Sequence, residues 1–176
     1  MTVTVAFFAE RAFFRFIKQS LEANDSAIPI EQAVACVVAA VAALEATVNS
    51  FFVADGRLEH YDELRLVSKI ETLADWYSLT IDWGSAPWQD VKSLLRTRNW
   101  LVHFKEPLIG LARSSRGWVD DGSHKPPKLD PYEEFSRERI VQYRDSTVAA
   151  IHALAAALHP NLRDMISLED DPFFVG

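Results

Sequence analysis

Apolar positions recur along most of this chain at the spacing of an α-helix, and the period predicts five helices. The first runs from Val5 to Asn24, where Phe7, Phe8, Phe13, Phe14, Phe16, Ile17 and Leu21 cover most of the circumference. Arg11, Arg15 and Lys18 are left as a narrow basic stripe, which suits a solvated face or a track for an RNA backbone. Asn24-Asp25-Ser26 breaks the pattern, and a second helix starts at Pro29 and runs to about Ala54. From Ala33 to Leu44 every residue is apolar, a run shorter than the roughly 20 residues of a membrane span, so this is expected to be the most buried helix. Glu45 closes the run, Asn49 follows one turn later, and Asp55-Gly56 ends the helix.

A third helix is expected from about Leu58 to Leu79, with Leu64, Val67, Leu73, Ala74 and Tyr77 inward and Lys69, Glu71 and Asp75 toward water. A turn with Gly84 precedes the fourth, Pro87 to Lys105, and Pro107 stops it. The fifth runs from Ser136 to about Leu158 and packs through Ile140, Val148, Ile151, Leu154, Ala155 and Leu158. Between them, at about 106–132, the period fails and prolines and glycines mark a long loop that carries Arg113, Arg116, Trp118, His124, Lys125 and Lys128. The expected fold is therefore all-α, an up-and-down bundle of about five helices in a single domain over residues 1–176.

The fourth helix carries the chemistry. Val91, Leu94, Leu95, Leu101 and Val102 fall within about one third of its circumference, and Arg98 falls among them. A guanidinium keeps its charge, so an arginine on that face needs an anionic partner, and Glu45 is the obvious candidate. Two readings follow: a Glu45–Arg98 pair that only sets helix register, or an arginine held for catalysis. Asn49 would extend the same polar seam. On the opposite face Arg96, Asn99 and His103 stand at i, i+3 and i+7, and His103 lies near a helix C-terminus, where the macrodipole favours its protonated form.

Composition narrows the rest. Hydrophobic residues make up 49% and charged residues 24%, as in a globular domain, and the net charge of −7 confines any RNA contact to a local patch. The single cysteine, Cys36, cannot form an internal disulfide and reads as a core residue of a reducing compartment. Residues 1–6 lack the basic start of a signal peptide, so a cytoplasmic protein without a membrane segment is expected. There is no HExxH, P-loop, GxGxxG or GxSxG pattern, and neither a metal nor another cofactor is implied.

Arg98-Asn99 followed by His103, with four residues between arginine and histidine, resembles the signature of the HEPN domain. Arg96 to His103, with six between, also fits that spacing. Glu45 and Asn49 on a long apolar helix upstream strengthen the likeness. The resemblance implies an HEPN-like bundle acting as a metal-independent endoribonuclease and homodimer, with Arg98, Asn99 and His103 as catalytic residues. The basic loop, through Arg113, Arg116 and Lys125, is expected either to grip an RNA backbone together with Arg96 or to be a mobile surface loop with no task, and the resemblance implies as partner an antitoxin such as a nucleotidyltransferase, or a phage-defence component. The chemistry suits those residue types: imidazole, with an ordinary pKa of about 6.5, gives or takes a proton near neutrality, and arginine matches phosphate oxygens. Arg98 and His103 stand about 140° apart on an ideal helix, so they meet at one phosphate only if a side chain bends round or a second subunit supplies one of them. The competing expectation is a non-catalytic module of the same fold that binds a partner or a nucleotide.

Overall fold

The computed structural model describes residues 3–56, 63–102, 111–114, 117–120 and 131–157, with 3–10, both strands and 131–132 described by backbone alone. Its long helices are α1 (Val3–Glu22), α2 (Ile30–Asp55), α3 (Leu66–Trp76), α4 (Trp88–Val102) and α6 (Arg137–Ala157). A single turn, α5 (Pro131–Glu134), precedes α6. The chain is an all-helical bundle, with one small addition. Within the expected loop, β1 (Leu111–Ser114) and β2 (Gly117–Asp120) form an antiparallel hairpin that pairs Arg113 with Trp118. Four residues a side are too few for an alternating pattern to show, which is why periodicity misses it.

Every other long helix packs on α2. Its alanines and valines explain this: Ala33, Val37, Ala43, Leu44 and Val48 are completely buried, and the small side chains let neighbouring helices approach closely. At its C-terminus Gly56 takes the left-handed conformation, φ 72°, and donates its N–H to Val53 O, a turn that glycine makes without strain. By length and composition α2 could also cross a membrane, but 67% of its most apolar stretch is buried inside the protein.

The start of α6 is pinned to the turn after α1, where Arg137 Nε donates to Asn24 O at 2.9 Å. Ser136 caps α6 by accepting the Arg139 N–H at 3.2 Å. The third helix differs from expectation. It begins at Leu66 rather than Leu58, after an extended Arg65, and residues 57–62 lie outside the described residues. It also runs in the same sense as α2, because Lys69 bonds Asn49, Trp76 meets Phe52 edge-on, and Tyr77 donates to Asp55. The up-and-down alternation therefore fails at this step. Leu64–Ser68, just before and at the start of α3, stand beside Val41 and Glu45 in the middle of α2.

Lys69 is not water-facing as expected but 3% exposed, its ammonium donating to Asn49 Oδ1 at 2.7 Å. A buried cation needs such a partner, and Asn49 is taken up by it.

Leu44→Ala should cost about 2–5 kcal/mol of unfolding free energy, whereas Val38→Ala, 45% exposed on the same helix, should stay within about 0.5 kcal/mol. Urea denaturation of the two variants checks this.

Candidate functional site

Helix α4 begins after a turn in which Gly84 N donates to Asp82 Oδ1. Along α4, Asp90, Ser93 and Thr97 stand at i, i+3 and i+7, one stripe facing α6. On α6 the matching stripe is Arg139, Gln142, Tyr143 and Ser146. Gln142 Nε2 and Ser146 Oγ donate to the two oxygens of Asp90, at 2.9 and 2.7 Å, and Arg139 donates to Ser93 Oγ at 2.9 Å. Tyr143 donates its hydroxyl proton to Glu134 Oε2, and the fully buried Thr97 hydroxyl lies 3.0 Å from that oxygen and 3.1 Å from the phenol oxygen, donating to one of the two. The Arg139 guanidinium lies 4.7 Å from the centre of the Tyr143 ring and 3.6 Å from Glu134 Oε2. Burial, and then the bond to the Glu134 carboxylate, push the Tyr143 phenol above its ordinary pKa, so it stays a neutral donor at physiological pH.

This seam decides where the predicted site residues go. With Thr97 turned into the α4–α6 contact, the next residue is rotated by about 100°. Arg98 consequently enters a cleft between α2, α3 and α4 with a volume of about 820 Å³. Val41 and Glu45 form one wall, Leu64–Ser68 a second, and Leu95, Arg98 and Asn99 the third. Arg98 is half-buried there rather than buried, and its NH1 donates to Asn99 Oδ1 at 3.1 Å. The expected stripe is likewise corrected at its end: Val91 and Leu94 are fully buried, Leu95 and Leu101 half-buried, and Val102 56% exposed.

Glu45 does not pair with Arg98. Both line the same cleft, but among the described residues the Glu45 carboxylate makes no hydrogen bond or ion pair. An open, partly hydrated cleft makes this tolerable, since a half-exposed charge keeps much of its solvation. Asn49 belongs to Lys69 and not to a Glu45 seam. Arg96 is exposed on the outer face of α4 beside Asn99, which is also exposed. Arg113 is placed by its backbone in β1, and His103, Arg116, His124, Lys125 and Lys128 lie outside the described residues.

The structure therefore brings together Arg98, Asn99 and Glu45, with Arg65 and Ser68 as additions that sequence reasoning missed. The Asp90–Ser93–Thr97 seam was missed too, although its i, i+3, i+7 spacing on both α4 and α6 was available as a signal. Among the described residues no group of three or more His, Cys, Asp or Glu is placed to hold a metal ion. What the cleft offers is a guanidinium with donors to spare, an amide and an acceptor carboxylate, which suits a ligand carrying an anion and hydrogen-bond donors. Compared with known proteins, the chain matches no protein-family model, no curated protein and no solved structure.

Because Tyr143 is raised in the folded state, folding retains its proton where the unfolded chain loses it. Its contribution is full below the unfolded value of about 10 and is lost as pH rises through the folded value. Stability measured by urea titration should fall above about pH 10, and the fall should be shallower in Tyr143→Phe, which also costs about 1–3 kcal/mol at neutral pH through its stranded partners.

Proposed function

We propose that this protein is a small helical endoribonuclease of the HEPN type that acts as a homodimer, with Arg98 and Asn99 holding the scissile phosphate and His103 transferring protons. The observation that supports it is the guanidinium of Arg98, which stands in an open cleft bonded to Asn99 and not neutralised by Glu45. An arginine kept only for register would be expected in a closed ion pair. One face of α4 carries the exposed Arg96 and Asn99, and two such faces across a two-fold axis would line a single crevice.

The reaction needs no group beyond the substrate and two imidazoles. One His103 removes the proton from the RNA 2′-hydroxyl, the 2′-oxygen forms a bond to phosphorus, and the bond from phosphorus to the 5′-oxygen breaks. The second His103, from the partner subunit, protonates that 5′-oxygen. The products are a 2′,3′-cyclic phosphate and a 5′-hydroxyl. Arginine supports the five-coordinate phosphorus by two-point hydrogen bonding that strengthens as charge gathers on its oxygens. Since each chain brings one such histidine, dimerisation supplies the pair. A cytoplasmic antitoxin that covers this crevice fits the same reading.

The volume of the cleft supports a second reading, a non-catalytic module that binds a nucleotide or a partner, because it lies within the range of small-ligand sites, roughly 300–1,000 Å³. Incubation of the purified protein with small RNAs in EDTA separates the two. The nuclease reading expects products with cyclic phosphate ends and a rate about 10²–10⁴-fold lower in His103→Ala. Intact RNA with the wild-type protein, or equal rates with and without the imidazole, would contradict it.

A further inference from the structure

The Glu45 carboxylate has no role in the reaction just described, yet it stands in the same cleft as the arginine that would hold phosphate. Resting on the reading of RNA as the ligand, we infer that this cleft is a base-reading subsite in which Glu45 selects guanine while Arg98 and Arg65 hold the adjoining phosphates.

A carboxylate only accepts hydrogen bonds, through two oxygens side by side. Guanine alone among the four bases presents two adjacent donors on its pairing edge, N1–H and the 2-amino group, and these match the two oxygens as a guanidinium fork does. Adenine and cytosine each set one amino donor beside a ring nitrogen whose lone pair faces the carboxylate. Uracil sets a single N–H between two carbonyl oxygens. A carboxylate at this place therefore attracts one base, tolerates two poorly and repels the fourth.

The rest of the cleft fits a nucleotide as well. Val41, Leu66 and Leu95 give the body of a base apolar surface, and the cations stand on the other two walls, Arg65 at the start of α3 and Arg98 on α4. Single-stranded RNA is read in this way, by hydrogen bonds to an unstacked base edge beside backbone contacts. The acidic chain as a whole repels RNA, so a subsite that joins phosphate and base recognition would choose where on a strand the protein settles.

The test is equilibrium binding of GMP, IMP, AMP, CMP and UMP to the full chain, wild type and Glu45→Gln. Glu45 is half-buried and makes no hydrogen bond among the described residues, so the isosteric variant should fold, as thermal melting by circular dichroism will verify. GMP should bind at least about tenfold tighter than AMP, CMP or UMP, with IMP, which lacks the 2-amino group, in between. In Glu45→Gln that preference should largely vanish. Equal affinity for all five nucleotides, a GMP preference unchanged in the variant, or no binding at millimolar nucleotide would overturn the inference. Cleavage of RNAs that differ only in one unpaired base keeps this apart from the nuclease reading. Selective GMP binding without cleavage leaves the subsite and removes the nuclease; cleavage indifferent both to the base and to Glu45→Gln leaves the nuclease and removes the subsite.

Discussion

A buried threonine hydroxyl sets the geometry of the site. Thr97 is completely enclosed and bonded to Glu134 and Tyr143, so its side chain can point nowhere but at α5 and α6. Helical rotation then places its neighbours without further choice: Arg96 goes to solvent and Arg98 to the cleft against α2 and α3. Replacing the hydroxyl by a methyl would leave a carboxylate and a phenol short of a partner, a cost of about 1–3 kcal/mol. The polar seam thus acts as the hinge pin on which the cleft-facing side of α4 is oriented.

Apart from Thr147, whose fully buried hydroxyl makes no hydrogen bond among the described residues, two contrasting sets of polar groups stand out in the bundle. Lys69, Thr97 and Tyr143 are nearly inaccessible, and each has a hydrogen-bond partner at 3.1 Å or less. That is what desolvation demands, since a lone buried charge would outweigh much of the stability of a domain this size. Glu45 and Arg98 are half-exposed around an open volume and do not pair. Charges of opposite sign that face one open cleft without pairing do not form a structural bridge, which is what the proposed binding role requires.

The helices were legible because long apolar stretches survive in them: α2 is buried along most of its Ala33–Leu44 run, Val38 excepted, and its glycine stop stands where the Asp55-Gly56 pair places it. The start of α3 was not, since Arg65 precedes it without a side-chain cap and an apolar Leu64 imitates one more turn. The expected Glu45–Arg98 pair does not form, because helix periodicity fixes which face a residue occupies and says nothing of how far apart two helices stand. Glu45 and Arg98 line different walls of one open cleft, and their separation is set by how α2 and α4 pack. Lys69 defeated the pattern for a related reason: a long apolar stem can be buried if its ammonium meets one amide, and Asn49 lies on a different helix.

The candidate site depends most on Glu45 and Arg98 being independent of each other. A double-mutant cycle in urea denaturation, with Glu45→Gln, Arg98→Ala and the combined variant, measures their coupling directly. Charges that share a hydrated cleft without a bond should couple by no more than about 1 kcal/mol. A coupling of about 3 kcal/mol or more would show a closed ion pair holding α2 to α4, and the site would then be a structural bridge.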